Sequence, residues 1–210
     1  MAFNSKLENF EGSEESKLEV GIYDGHVEEI RKGVRFDPSR NDNDTSLEIE
    51  VSSKEGNHID SVARPTTDEM EEQVYEKVCH ILTAALAEEA FKAFHKIPIK
   101  DFEDLIEVAS KFLEKQNETQ KEAISFKIVG EVYKNRKGEE TGTTKIPNFS
   151  ARFKSAPMMV KLSSGKKLAF TNSEVSGNNK YKAFKAGVIT PSNAVAKTEV
   201  ATPVRKTQFE

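Results

Sequence analysis

Ile59-Asp60-Ser61-Val62-Ala63-Arg64-Pro65-Thr66-Thr67-Asp68-Glu69-Met70-Glu71-Glu72-Gln73-Val74 is where the hydrophobic period of this chain changes from two to 3.6. Upstream, Ile59 to Ala63 reads as an extended segment that Pro65 ends. Downstream, Thr67 is placed to cap a helix in which Met70, Val74, Val78, Ile81, Leu82, Ala85, Leu86 and Phe94 form one apolar stripe, stopped by Pro98. A second helix follows, with Asp101 as its cap and Phe102, Leu105, Ile106, Ala109, Phe112 and Leu113 at three- and four-residue spacing. The short join predicts a hairpin of two antiparallel helices.

Toward the N-terminus the period stays at two. Lys54-Glu55-Gly56-Asn57 is a turn, and Leu47, Ile49 and Val51 alternate with Ser46, Glu48 and Glu50 as a half-buried strand. Beyond the turn formers at 37–44, Leu18, Val20 and Ile22 alternate with polar residues, and the pattern resumes out of phase at Val27 and Ile30. Gly25 between them permits a bulge or sharp bend, so a long, curved first strand is predicted. Toward the C-terminus, strand signals return at Ile124, Phe126, Ile128 and Val132, with a turn at 135–138. Lys145 to Phe153, Met158 to Leu162 and Lys167 to Thr171 read as further extended pieces, the last two joined by residues 163–166 into a hairpin, giving a basic antiparallel meander. Residues 1–15 read as a flexible acidic arm and 186–210 as a flexible tail. One domain over 16–185, with a helical insertion at about 67–116, lies between them.

Charge is divided along the chain. Residues 1–122 hold 15 Lys+Arg against 29 Asp+Glu, and residues 123–210 hold 16 against 6, giving −14 and +10 within the total of −4. Such asymmetry points to an anionic partner for the basic half, most often nucleic acid; a plain difference between solvated faces is the other reading. Cys79 is the only cysteine, so no internal disulfide framework exists, and Cys79-His80 lacks the spaced partners of a zinc site. A reducing, cytoplasmic setting is expected, the host cytoplasm if the protein is viral. Residues 1–19 hold no apolar signal region and no 18 apolar residues run together, so neither secretion nor a membrane partner is expected.

The order of three strands, a helical segment and further strands predicts a mainly β protein with an α insertion. It agrees with an OB-fold-like antiparallel barrel, in which the helical hairpin falls between strands 3 and 4. Single strands of nucleic acid are held by a cationic groove that follows the phosphates and by aromatic faces on which bases stack. The two residue types interleave in the basic half, which makes Tyr133, Lys134, Arg136, Lys137, Phe149, Arg152, Lys154, Lys166, Lys167, Lys180 and Tyr181 candidate binding residues. The first strand adds Tyr23, Arg31, Lys32 and Arg35. Tyr133 is out of phase with Ile128 and Val132 and should face outward. Phe149 and Phe153 share one face and can either fill the core or stack on bases.

On the curved-strand pattern from Gly21 to Gly33, the Leu47 to Val51 strand, the helices before Ile124 and the basic aromatic segment ending at Phe184, the chain resembles the OB-fold single-stranded DNA-binding proteins of tailed bacteriophages. The resemblance covers about residues 16–185. It implies non-sequence-specific binding and protection of single-stranded DNA during replication or recombination. Such proteins commonly end in an acidic tail that recruits replication partners. Here Arg205-Lys206-Thr207-Gln208-Phe209-Glu210 has one acid, so a hook for replication or recombination proteins would rest on Phe209 instead.

Enzymatic chemistry finds no carrier in the sequence. Gly165-Lys166-Lys167 lacks the rest of a phosphate-binding loop, and His26, His58, His80 and His95 show no metal spacing. No catalytic residue, metal or other cofactor is expected. Glu69, Glu71, Glu72 and Glu76 read as the solvated face of a helix. A virion structural or adaptor protein with extended terminal arms is the alternative from another class.

Overall fold

The computed structural model describes residues 17–37, 42–135, 138–150 and 154–187. Strand β1 (Gly21–Asp37) pairs antiparallel with β2 (Asp42–Ser53), and β2 with β3 (Gly56–Ala63). The alternation legible in the second strand buries Leu47, Ile49 and Val51 completely. In β1 the register against β2 shifts between Val27 and Glu29, which lets Val27 and Ile30 both point inward. The start of β1 runs in the phase opposite to the expected one. Ile22 is exposed, while Tyr23 packs on the core beside Phe126 because it pairs with that inward-facing residue of the neighbouring strand.

Helix α1 (Asp68–Ala85) is capped by Thr67, whose side chain accepts from the Met70 N–H at 3.3 Å. The expected unbroken first helix stops at the extended residue Leu86 and restarts as α2 (Glu88–Phe94). The break swings Phe94 against Phe112 of α3 (Phe102–Thr119), with ring centroids 5.8 Å apart, and buries both Leu86 and Phe94. Asp101 caps α3 as expected, accepting from the Asp104 N–H at 2.8 Å.

Strand β4 (Ile124–Lys134) crosses the middle of the sheet, with Ile124, Phe126 and Ile128 in the core. Its first half lies between β1 and β6 (Met159–Lys161), and its second half pairs with β5 (Glu140–Lys145) on the side away from β1. β5 and β6 thus form one line along that edge, separated by an excursion over 146–158. The hairpin expected from 158–171 is absent. Residues 162–164 make a short 3-10 turn, Gly165 adopts a left-handed φ of 66°, and the chain leads into α4 (Asn172–Lys185). The basic segment therefore ends in a helix, not a meander.

The strand order is β3-β2-β1-β4-β5, with β6 beside β4, and no ladder joins β3 to β5 among the described residues. The protein is a mixed α/β domain of four helices and an open six-stranded sheet, not the predicted OB-fold-like, mainly β barrel. The resemblance to the phage OB-fold single-stranded DNA-binding family, and the DNA-binding groove it implied, fall with the barrel. Two features lie at the seam. Pro147 has no N–H to donate and follows directly on Ile146 at the end of β5. Lys77 of α1 then reaches into the seam, where its Nζ donates to Asp60 Oδ2 of β3 at 2.7 Å and to the Ile146 carbonyl at 3.1 Å.

His58 of β3 is 1% exposed, and neither ring nitrogen has a hydrogen-bond partner among the described residues. Burial holds its pKa below the ordinary 6.5; Asp60 opposes that shift, and Lys17 and Lys77 add to it. The unfolded chain takes up a proton near pH 6.5 that the fold refuses. His58 therefore contributes stability above that pH that is lost as pH falls toward its folded pKa. His80 is shifted the same way by burial. Thermal melts should show a midpoint that drops from about pH 7.5 to about pH 5.5, and His58→Leu should flatten part of that slope. An unchanged slope in the variant would place its origin elsewhere.

Candidate nucleic-acid interface

Two of the sequence-predicted residues on β1 are turned toward carboxylates. Arg31 pairs with Glu29, with Glu48 at 2.9 Å and with Glu50 at 2.9 Å. Hydrogen bonds donated by Arg31 to these carboxylates, Glu29 and Glu50 foremost, push the guanidinium pKa up. Three carboxylates around one guanidinium leave the outer face of β1 and β2 negative, a poor surface for phosphate. Lys32 is exposed but lines a cleft with Glu103, Glu107 and Glu114 of α3. Arg35 is exposed at the far end of the strand, opposite Asp44. Tyr23 is packed, with its hydroxyl donating to the Glu19 carbonyl at 3.0 Å.

The basic half offers a different surface, built by α4. Thr171 and Glu174 form a reciprocal capping box, with Thr171 N–H to Glu174 Oε2 at 2.7 Å and Glu174 N–H to Thr171 Oγ1 at 3.2 Å. The same carboxylate receives the buried Lys127 ammonium of β4 at 2.9 and 3.0 Å, and Lys127 also donates to the Ala169 carbonyl at 3.3 Å. One turn on, Asn178 Oδ1 accepts the Gly130 N–H at 2.8 Å. Tyr181 and Phe184 then lie on Gly130 and Gly142, where a Cβ would come within 2.5 Å of Tyr181 and 2.6 Å of Phe184. Only glycine permits so close a seat for the helix. Tyr181 is consequently buried, its hydroxyl 3.4 Å from Glu19 Oε2.

What α4 leaves outside is cationic. Lys180, Lys182 and Lys185 are exposed, and Lys180 faces Lys145 of β5 across a cleft of about 450 Å³ that also holds Glu131, Glu174, Ser173 and Ser176. Lys145 pairs with Glu131 at 2.5 Å, and Lys185 lies 3.9 Å from Glu19. Lys180 and Lys182 have no ion pair among the described residues. Tyr133, 46% exposed, and Lys134 stand at the end of β4 beside the hairpin turn. Arg136 and Lys137 of that turn lie outside the described residues, as do Arg152 and Phe153.

The remaining candidates are scattered. Phe149 is half-buried, packed against the core and flat on the His80 ring at 4.1 Å. Lys154 and Lys167 are exposed. Lys166, also exposed, lines a cleft of about 400 Å³ with Phe91, Met159 and Lys161. The geometry brings Lys180 beside Lys145, with Lys182 on the other flank of α4, and leaves Arg31 among the carboxylates of β1 and β2. Sequence reasoning missed Lys145 and the helical presentation of Lys182. The Thr171-Asn172-Ser173-Glu174 capping box was the available signal for the latter.

Among the described residues no three His, Cys, Asp or Glu side chains converge as a metal site, and no helix is long and apolar enough to cross a membrane. Burial raises the Cys79 thiol above its ordinary range, so it is protonated near neutrality, and it pushes Tyr75 up to about 12. Comparison with protein-family models, with curated proteins and with solved structures finds no match to this chain.

Proposed function

We propose that this protein is a non-catalytic binding module that holds a nucleic-acid strand by its phosphates along the outer face of α4 and the end of β4. The observation that supports it is the unequal commitment of the cations: Arg31 is enclosed by carboxylates, while Lys180 and Lys182 are exposed and without an ion pair among the described residues. Ammonium groups in that condition release counterions when they meet phosphate, which drives binding at low salt. Tyr133 beside Lys134 adds an aromatic face for one base.

The test is a titration of labelled single-stranded and duplex DNA and RNA oligonucleotides across a range of salt. Lys134→Ala, Lys180→Ala and Lys182→Ala together should weaken binding and lower the salt slope by about 0.7 to 0.9 for each phosphate that is no longer neutralised. Tyr133→Ala should cost about 1 to 3 kcal/mol and leave the salt slope nearly unchanged. Absence of affinity for every oligonucleotide, with a defined oligomer in light scattering, would overturn the proposal in favour of a virion structural or adaptor role. Wild-type affinity in both variants would show that α4 is the wrong face.

A further inference from the structure

A groove of about 450 Å³ opens between the N-terminal half of α1 and the turn from α2 to α3, and none of the residues that line it belongs to the α4 face. Val74, Phe102 and Leu105 form its buried floor. Tyr75, Ile97 and Ile99 line its sides, and Ile97 is 37% exposed. The rim carries Asp68, Glu71, Glu72 and Asp101 against Lys100. Among the described residues no ion pair engages Asp68, Glu71 or Glu72. Carboxylates in the first turn of a helix complement its dipole, and that accounts for their presence. It does not account for the recess at their feet, where apolar side chains of α1 and of residues 97–105 converge.

We infer that the groove is a binding site for a small amphiphilic cation, an aromatic or branched aliphatic body that ends in an ammonium group. Volume sets the size: about 450 Å³ falls within the range of about 300 to 1,000 Å³ typical of small-molecule sites. The lining sets the polarity. An apolar body displaces water from the space above Val74, Phe102 and Leu105. Asp68, Glu71, Glu72 and Tyr75 follow one another at helical spacing, so the carboxylates share the flank of α1 that borders the groove. An ammonium at that rim donates charge-assisted hydrogen bonds to them. The same carboxylates repel an anion, and a neutral molecule of equal shape gains the floor without the rim.

Titration of the isotope-labelled full chain with naphthylethylamine, followed by amide chemical shifts, tests the inference without reference to nucleic acid. Shifts should saturate and map to residues 65–75 and 97–105. Naphthylethanol, which keeps the ring and lacks the charge, should bind about tenfold more weakly, and naphthylacetate should leave the spectrum unchanged at the same concentration. Glu71→Gln with Glu72→Gln, both at exposed helix positions, should lower the affinity for the amine about tenfold while the affinity for the alcohol and the circular dichroism stay unchanged. Ile97→Ser should weaken amine and alcohol alike. Absence of saturating shifts, shifts confined to other surfaces, equal affinity for amine and alcohol, or full amine affinity in the glutamine variant would each overturn it. None of these outcomes alters the oligonucleotide titration, so the two readings stand or fall separately.

Discussion

Lys77→Ala is expected to destabilise the domain by about 3 to 5 kcal/mol, read as a lowered midpoint of urea unfolding. The Lys77 side chain is 4% exposed and that of Asp60 7%, so water screens the pair little. Truncation leaves the Asp60 carboxylate buried without its counter-charge and the Ile146 carbonyl without its donor. The loss is a penalty of breaking the pair and not a measure of its net worth. Lys77→Met combined with Asp60→Leu should therefore recover most of the stability, since apolar groups of similar volume carry no desolvation cost. A single-variant loss below about 1 kcal/mol would mean that the carboxylate finds water at the seam between β3 and β5.

A loss of similar size, about 3 kcal/mol or more, is expected for Lys127→Ala, with a different distribution over the molecule. Its side chain is fully buried and Glu174 is 16% exposed, so the variant strands a carboxylate beneath the start of α4. Glu174 keeps its bond from the Thr171 N–H, and the helix retains its cap. What it loses is the tie to β4. Amide exchange should accelerate through α4 far more than through β2, whose core residues lie elsewhere in the sheet. Because α4 carries Lys180 and Lys182, oligonucleotide affinity should fall as well, although Lys127 itself is too deeply placed to touch a ligand. Undiminished protection of α4 would show that Asn178 and Tyr181 suffice to hold it.

Local elements were legible where one physical signal dominated. Thr67 and Asp101 cap the helices expected of them, and the alternation of Leu47, Ile49 and Val51 marks a strand buried on one face. Closure of the sheet was not legible, because the order of elements says nothing about whether the third strand pairs with the fifth. The seam is occupied by a lysine arriving from α1 that bonds to β3 and to the Ile146 carbonyl, groups far apart in sequence. The basic segment misled for another reason. Interleaved lysines and aromatics suggest a stacking surface, but Tyr181 and Phe184 stand three apart, a helical spacing, and they face two glycines. Of the described aromatic residues named as binding candidates, Tyr133 alone keeps an outward position.

The position of α4 has a meaning for the neighbouring copies of the chain. β1 accompanies β4 only as far as Ile128, and beyond it the backbone of β4 has no strand on that side among the described residues. Bare backbone of this kind is a template on which another polypeptide can add, and proteins cover it with a helix, a charge or a bulge to remain dispersed. Here Asn178 takes the Gly130 N–H that a foreign strand would otherwise claim, and a lysine-bearing helix lies over the site. The helix is thus a guard that keeps one sheet from growing into the next.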